Sequence, residues 1–506
     1  MAVLVVLMLV VGVIAGTTTA AATGAGSTLG GDAAGARRSG SIDGSASVRL
    51  PNYITEGVVF QRDKNIVFSG WGVPKAELTI TLGKSTSTVT CGDNGKFTVR
   101  LAAPEARLKP YILTISQGDT TALTISKVYV GDVFIASGQS NMEASYHDYY
   151  STDSLVASNL GNHGLDSLPP LIDDEHVHFL VLNRSNDVDS EGDAPLRDFN
   201  ATKWLSASGN NSEYLGYLPQ FFAENIRDKE PNIPIGIIQT AWGGTQITQH
   251  MKGGDIYNSH IKPFSGFNVA GVLWYQGESD AESDYNSINY VTRFSRLIDQ
   301  YRTVFNDEKL PFLYAQLARY KGLAGLMLIR QSQLEVASSA ADSNIAMTVT
   351  TDTDKGSSDL LHPLGKDIVA YRMAQQWAAM QSNKDVPVGA IPVRANSLAN
   401  GAIRITFKSG TAEDLTAMNP IFDASASPTE FARLSGSDEL SGFEVGNAKG
   451  QFTTVPAYIQ GNTIVVDVAE KSVTQVRYQW TGAPAIGPFV YNKNMLPLSP
   501  FTLTVE

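Results

Sequence analysis

The strongest constraint on this chain lies between residue 127 and about residue 381, where apolar runs of strand length alternate with segments of helical period. The segments 288–305 and 368–380 each place their apolar residues on one face of a helix. Strands that alternate with amphipathic helices form a mostly parallel sheet covered on both faces. The pattern therefore predicts an α/β domain, with bounds 127–384. The strand candidates are 128–136, 177–182, 233–239, 269–275, 312–317 and 345–350.

The two flanks of this region have strand character of a different kind. From 48 to 126, short alternating runs are separated by Gly, Pro and Asp-Asn-Gly turns, a pattern typical of a small antiparallel sandwich. From 385 to 506 the helical signal is absent and short β-type runs return. The 506 residues allow about three domains at roughly 150 residues each. We therefore expect β-sandwich-like domains on both sides of the α/β domain.

The N-terminal segment predicts export. Residues 3–16 are continuously apolar, but they are fewer than the ~20 that a membrane-spanning helix needs, and small residues follow at 20–22. We interpret 1–22 as a signal peptide and the Gly-, Ala- and Ser-rich segment 23–47 as a disordered linker. A basic residue is missing before the apolar run, so an uncleaved anchor is the alternative. The expected location is secreted or lumenal: extracellular, periplasmic or lysosomal.

Composition narrows the choice of partners. The formal net charge of −12 repels a phosphate backbone, so nucleic acid is not expected as a partner. The single cysteine, Cys91, excludes a disulfide framework within the chain. Sequons begin at Asn183, Asn200 and Asn210, and they indicate exposed surface where the host glycosylates.

Candidate catalytic residues follow the predicted strands. Ligands of an open parallel sheet bind outside the carboxyl ends of its strands. The segments at those ends carry a hydroxyl, a glycine pair, an amide and an Asp-His pair. They are 137–142 (SGQSNM), 240–245 (TAWGGT), 276–279 (QGES) and 359–363 (DLLHP).

This set meets the needs of acyl transfer. Ser140 is the candidate nucleophile, because a base within hydrogen-bond reach can activate a serine hydroxyl. His362 is the candidate base, and Asp359, three residues before it, can accept the other ring N–H. Each feature alone is commonplace, since Asp359 could equally cap a helix that begins near Pro363. Their order after successive strands favours catalysis.

The oxyanion of a tetrahedral intermediate needs hydrogen-bond donors arranged in advance. The candidates are the backbone N–H of Ser140, one N–H from Gly243 or Gly244, and the side-chain amide of Gln276. A Gly-Gly pair after a strand is also an ordinary tight turn, and Gln276 could simply satisfy backbone groups at a strand end.

The four segments closely resemble the motifs of the sialate O-acetylesterase family within the SGNH hydrolase superfamily. The matching residues are 138–142 (GQSNM), 242–245 (WGGT), 274–279 (WYQGES), and 359–363 with Lys366. The likeness extends from about residue 48 to the C-terminus, and it includes 57–62 (GVVFQR), 69–74 (SGWGVP) and 496–501 (LPLSPF). The resemblance implies an SGNH-type, flavodoxin-like sheet and hydrolysis of acetyl esters on sugars, with O-acetylated sialic acid as the type substrate.

The resemblance also implies roles for individual residues. Ser140 corresponds to the nucleophile, His362 to the general acid and base, and Asp359 to its partner. The oxyanion-hole positions correspond to Ser140, Gly243, Gly244 and Gln276, and the supporting positions to Gln139, Asn141 and Glu278. Asp280 and Ala241 depart from the family pattern, which concerns substrate preference more than reaction type. No metal or other cofactor is expected.

Several alternatives stay open. His176 and His178 could ligate a metal, although no further ligand spacing is visible. His147 and Glu143 could line the pocket or lie on a helix face, and the aromatic side chains at 146, 149 and 150 could stack on a sugar or pack internally.

Function, too, has alternatives. The substrate could be an acetylated plant or microbial polysaccharide. Recognition of a sialic acid carboxylate would favour a cation such as Arg330 or Lys366 in the pocket. A non-catalytic glycan-binding protein is the third hypothesis. A membrane partner is expected only if the N-terminal segment is retained.

Overall fold

The computed structural model describes nine stretches of the chain: 48–150, 168–182, 203–340, 344–355, 361–420, 434–436, 440–468, 472–484 and 487–506. The predicted signal peptide and linker lie outside these ranges, as do Asp359, Asn183 and Asn200. Asn210 lies within them and is exposed. Every helix in the described ranges is too short or too polar to cross a bilayer.

The strands fall into three groups along the chain. The strands of the first group, which precede the α/β region or enter it, are β1 (Val59–Gln61), β2 (Ile66–Trp71), β3 (Glu77–Leu82), β4 (Ser85–Thr90), β5 (Lys96–Leu101), β6 (Tyr111–Gln117) and β7 (Thr120–Gly138). Those of the second are β8 (Asp174–Val181), β9 (Trp204–Ala207), β10 (Ile235–Gln239), β11 (Gly271–Tyr275), β12 (Phe312–Ala315) and β13 (Ile345–Thr348). Those of the third are β14 (Pro392–Ser397), β15 (Ile403–Phe407), β16 (Thr416–Pro420), β17 (Leu434–Gly436), β18 (Phe443–Asn447), β19 (Phe452–Thr454), β20 (Ala457–Gln460), β21 (Thr463–Val466), β22 (Val473–Tyr478), β23 (Phe489–Tyr491) and β24 (Phe501–Thr504).

The helices lie between the strands of the second group or directly beside them. The α-helices are α1 (Ser140–Glu143), α2 (Tyr146–Tyr150), α3 (Tyr217–Arg227), α4 (Asp284–Ser287), α5 (Tyr290–Val304), α6 (Leu326–Ser339) and α7 (Lys366–Gln381). The 3-10 turns are Gly209–Tyr214, Ile247–His250 and Lys262–Phe264, and Tyr257–Ile261 is a π-helical turn.

The central sheet has the strand order β13-β12-β11-β7-β10-β8-β9. All neighbours in this path are parallel except β8 and β9. β10 and β11 are fully buried along their length, as expected of strands covered on both faces. Each of the six predicted strands has a counterpart among the parallel strands.

Helices cover both faces of this sheet. Alternate residues of a strand point to opposite faces. On one face, Phe134 of β7 packs edge-on against Phe222 of α3 and Trp377 of α7. On the other face, Ser137 is hydrogen-bonded to Tyr301 of α5, at 2.9 Å between the hydroxyl oxygens. The predicted fold class, a flavodoxin-like α/β sheet with flanking β regions, is confirmed.

The first β region is continuous with the central sheet. β6 pairs antiparallel with the first part of β7, while β10 and β11 pair parallel with its later part. The predicted boundary between residues 126 and 127 therefore falls inside one strand. Cys91 is buried in this first region, as a packed small side chain would be.

The C-terminal region forms three antiparallel sheets, ordered β14-β15-β21-β20, β17-β16-β23 and β19-β18-β22-β24. It also contacts the α/β region, since the hydroxyl of Tyr491 in β23 donates to Asp352, which follows β13.

Candidate active site

The nucleophile candidate lies where β7 ends, between its neighbours β10 and β11. Gly138 has φ +129°, and a Cβ there would lie 2.2 Å from the Tyr275 carbonyl oxygen, so only glycine allows β7 to approach β11 this closely. The Gln139 N–H then donates to that same carbonyl at 2.9 Å. Ser140 starts α1 and stays partly exposed. The turn therefore presents the Ser140 hydroxyl at the edge of the sheet.

Ser140 and His362, far apart in sequence, meet at this edge. His362 Nε2 lies 2.9 Å from Ser140 Oγ, which is hydrogen-bond distance. The imidazole is 5% exposed. Burial, and then the positive charge of Lys366, lower the pKa of His362 to about 3, so the ring is neutral near pH 7 and can accept the serine proton. The role of Asp359 stays a prediction.

Three buried ion pairs anchor the segment that leads to His362. The pairs are Arg372 Nη2 with Asp352 Oδ2 (2.7 Å), Arg319 Nη1 with Asp354 Oδ2 (3.1 Å) and Lys355 Nζ with Asp367 Oδ2 (3.2 Å). The first pair is bidentate, because Arg372 Nη1 also donates to Asp352 Oδ1 at 2.8 Å. The anchors were not predicted, although a polar run directly after a buried strand was a visible signal.

Gly243 lies beside the candidate nucleophile. A Cβ on Gly243 would lie 3.3 Å from the Ser140 Cβ. Its N–H donates to Glu143 Oε2 at 2.6 Å, so this predicted oxyanion donor holds a carboxylate here. Gly244 has φ +75° and open space around the position of a Cβ. The structure thus brings Gly243, rather than Gly244, against Ser140, and it makes Glu143 part of the site.

Gln276 is arranged differently from the predicted oxyanion role. Its side chain is fully buried, and the amide nitrogen donates to Asp280 Oδ2 at 2.7 Å and to the Thr245 carbonyl at 3.0 Å. Its oxygen accepts from the Tyr290 hydroxyl at 2.8 Å. As an oxyanion donor, Gln276 would have to release these acceptors. In this arrangement it joins the loops after β10 and β11.

The predicted supporting residues also connect loops. Gln139 Oε1 accepts from the backbone N–H of Ser279 at 3.2 Å. Asn141 donates from Nδ2 to Glu278 Oε1 and, at 3.1 Å, to the Leu361 carbonyl. Burial raises the pKa of Glu278. The supporting residues thus join the Ser140 turn to the loop after β11, and Asn141 also reaches the residue before His362.

Neither cation considered for substrate recognition is accessible. Arg330 is fully buried and donates to the backbone carbonyls of Leu317 and Ala318. Burial, and then the charge of Arg319, lower the pKa of Arg330 to about 9. Lys366 is also fully buried and donates to Asn141 Oδ1. Both cations serve internal contacts.

The alternative sites are placed as follows. His178 is buried and packs on Tyr129 at 4.3 Å between ring centroids. Within the described ranges, no group of three His, Cys, Asp or Glu side chains could hold a metal ion. Tyr149 is buried, with its hydroxyl donating to the Pro363 carbonyl at 3.3 Å, and His147 stacks on Tyr214. The contacts of Tyr149 are internal packing contacts.

The chain is similar to known proteins in sequence and in fold. Residues 130–376 match the sequence model of the family described as carbohydrate esterase, sialic acid-specific acetylesterase. Over these residues the sequence is similar to that family. Human sialate O-acetylesterase is 24% identical to the chain, over 91% of the chain and 93% of the human protein.

A structural neighbour covers nearly the whole chain. A carbohydrate acetylesterase from Xanthomonas citri superposes with a TM-score of 0.72 and 26% identity, over 90% of this chain and 99% of that one. Family, relative and neighbour together make this chain a carbohydrate O-acetylesterase, a hydrolase of carboxylic esters.

Proposed function

We propose that the chain hydrolyses acetyl esters of sialic acids through an acetyl-enzyme formed on Ser140. The observation that carries the mechanism is the 2.9 Å contact between Ser140 Oγ and His362 Nε2. The family description and the name of the human relative support the choice of sugar.

In the first half-reaction, Ser140 Oγ attacks the acetyl carbonyl carbon while His362 Nε2 takes the hydroxyl proton. The N–H of Ser140 can donate to the developing oxyanion, because the first N–H groups of a helix have no acceptor within it. The bond between the acetyl carbon and the sugar oxygen then breaks, and His362 returns its proton to that oxygen. Water, activated by His362, next hydrolyses the acetyl ester on Ser140, which releases acetate and regenerates the free serine.

The Gly243 N–H can join the oxyanion hole only when its hydrogen bond to the Glu143 carboxylate is broken. The 2.6 Å contact places a carboxylate oxygen on the donor that the substrate oxygen would use. Substrate binding therefore displaces Glu143 from Gly243 if that glycine contributes.

The decisive experiment uses Ser140→Ala with a chromogenic acetyl ester. We expect turnover to fall by at least ~1000-fold, because the nucleophile is lost. The midpoint of thermal unfolding should stay near that of wild type. Ser145→Ala is the matched control: it removes a nearby buried hydroxyl that hydrogen-bonds Asp148, and turnover should stay near wild type. Undiminished activity in folded Ser140→Ala would refute the mechanism.

A second candidate substrate is an acetylated neutral polysaccharide. Burial of both Arg330 and Lys366 favours it, because a sialic acid carboxylate is best bound by an accessible cation. Turnover of O-acetylated sialic acid and of acetyl-xylan, compared at equal acetyl concentration, separates the two. A higher kcat/KM on sialic acid supports the first candidate, and a higher value on acetyl-xylan supports the second.

We also propose that the enzyme is exported to a secreted or lumenal compartment. The apolar run at 3–16 and the small residues at 20–22 support this. N-terminal sequencing of the protein recovered from outside the cytosol tests it, and a start beyond residue 22 is the expected result.

A further inference from the structure

We propose that Lys366 is a positioning residue that, acting through Asn141, holds His362 against Ser140. The inference rests on the proposed role of Ser140 and His362 and deepens it. The Lys366 ammonium donates to Asn141 Oδ1, and Lys366, Asn141 and Glu278 are all buried. We call these three residues the relay.

The relay fixes the orientation of the Asn141 amide. A lysine ammonium can only donate, so the amide oxygen must face Lys366 and the amide nitrogen must face away. That nitrogen donates to Glu278 Oε1 and to the Leu361 carbonyl. Without the lysine donor, the amide could turn over and lose both acceptors.

Each contact of this amide lies next to a catalytic segment. Asn141 follows Ser140 in α1, and Leu361 precedes His362. Glu278 belongs to the loop after β11 that Gln139 also binds. One side chain therefore ties together three loops that share no sequence neighbourhood, and it does so directly beside the Ser140–His362 contact.

Charge gives the relay a second effect. Burial lowers the pKa of Lys366 to about 7, and the Glu278 carboxylate opposes that shift. Among the described residues, Lys366 at the start of α7 is the charged group that acts on the pKa of His362. Asp359, its expected partner, lies outside the described residues. A positive Lys366 disfavours the imidazolium form of His362.

Two substitutions of Lys366 separate donor from charge. Lys366→Met removes both, and we expect kcat to fall by ~100-fold with little change in KM, as for a misplaced catalytic group. Lys366→Gln keeps an N–H donor without the charge and should restore most of kcat. In both variants the acid limb of kcat/KM should move to higher pH, because the cation no longer opposes protonation of His362.

Asn141→Ser provides an independent variant in case Lys366→Met fails to fold. It breaks the relay but keeps the lysine charge, so kcat should fall with no upward shift of the acid limb. Lys408→Met is the control: it removes a half-buried lysine that donates to the carbonyls of Ala337 and Ala340, and it should lower stability without changing kcat.

The outcomes are distinct from those for Ser140. A normal kcat in folded Lys366→Met and Asn141→Ser, with Ser140→Ala inactive, overturns the relay and leaves the proposed function intact. An equal loss of kcat in Lys366→Met and Lys366→Gln overturns the donor role.

Discussion

The two residues of the proposed catalytic pair are positioned in different ways. The Ser140 turn depends on its own backbone: a glycine close to β11 and one N–H bond to the Tyr275 carbonyl place the hydroxyl. The segment before His362 depends on side chains distant in sequence, including Arg319 and Arg372. Ser140 is thus placed by backbone contacts with the neighbouring strand β11, and His362 by side-chain ion pairs whose partners come from several elements.

Breaking an ion pair of the His362 segment should have the largest effect on stability. Arg372→Met leaves Asp352 buried without its bidentate partner, and loss of one partner of a buried pair costs about 3–5 kcal/mol. We expect the free energy of unfolding in urea to fall by that amount. The protein that remains folded should also have a lower kcat.

Arg477→Met is the matched control for Arg372→Met. Its pair with Glu444 is partly exposed, at 19% and 28% side-chain accessibility, so the loss should be about 1 kcal/mol or less. Equal losses in the two variants would contradict the special role of the buried pair.

The Ser140 turn can be tested with the two adjacent glycines. In Gly243→Ala the new Cβ would lie 3.3 Å from Ser140 Cβ and 3.1 Å from Glu143 Oε2, both tighter than usual contacts. The loop must shift from the nucleophile, and we expect kcat to fall roughly tenfold.

Gly244→Ala should behave in the opposite way. The position has open space but φ +75°, so the alanine costs about 1 kcal/mol of stability and leaves kcat near wild type. Measurement of kcat and of unfolding in urea for both variants shows which glycine is important for the Ser140 turn. A larger loss of kcat in Gly244→Ala than in Gly243→Ala would contradict the assignment of the contact with Ser140 to Gly243.

The last prediction concerns stability in acid, which must be separated from titration of His362. Burial, and then the charge of His176, lower the pKa of His178 to about 4. The unfolded chain takes up this proton near pH 6.5, whereas the folded protein takes it up only near pH 4. Stability is therefore lost as pH falls through this window, by up to about 3 kcal/mol.

His178→Gln removes this proton uptake. The unfolding free energy of the variant should fall less between pH 7 and pH 5 than that of wild type, and the acid limb of kcat/KM should be unchanged. An altered acid limb would show that His178 influences the catalytic pair, which its contact with Tyr129 does not suggest.

The strands could be predicted because their signal is local. Continuous apolar runs at 233–239 and 269–275 became β10 and β11, and 403–407 became β15. The boundary placed at residue 126 followed a change of pattern, but β7 continues through it, because one long strand can pair with different neighbours along its length. Pairing partners are not a property of the local sequence.

The site shows the same division. Ser140, His362 and Gly243 could be proposed from residue type and position after a strand, and the structure brings these three together. The contacts of Gln276 and Glu143 could not be predicted from the sequence. An amide or carboxylate in a packed site binds whichever partner the packed loops bring within reach.

The sequence by itself determined the α/β pattern, the order of the motifs and the reaction class, hydrolysis of carboxylic esters, because periodicity and residue type can be read along the chain. Only the tertiary structure decided which charged side chains are buried in internal contacts. Lys366 and Arg330 were candidates for a substrate carboxylate, yet both are fully buried. The reason is physical: burial and hydrogen-bond partners arise only when distant segments pack, and these contacts assign a charged group to the substrate or to the fold.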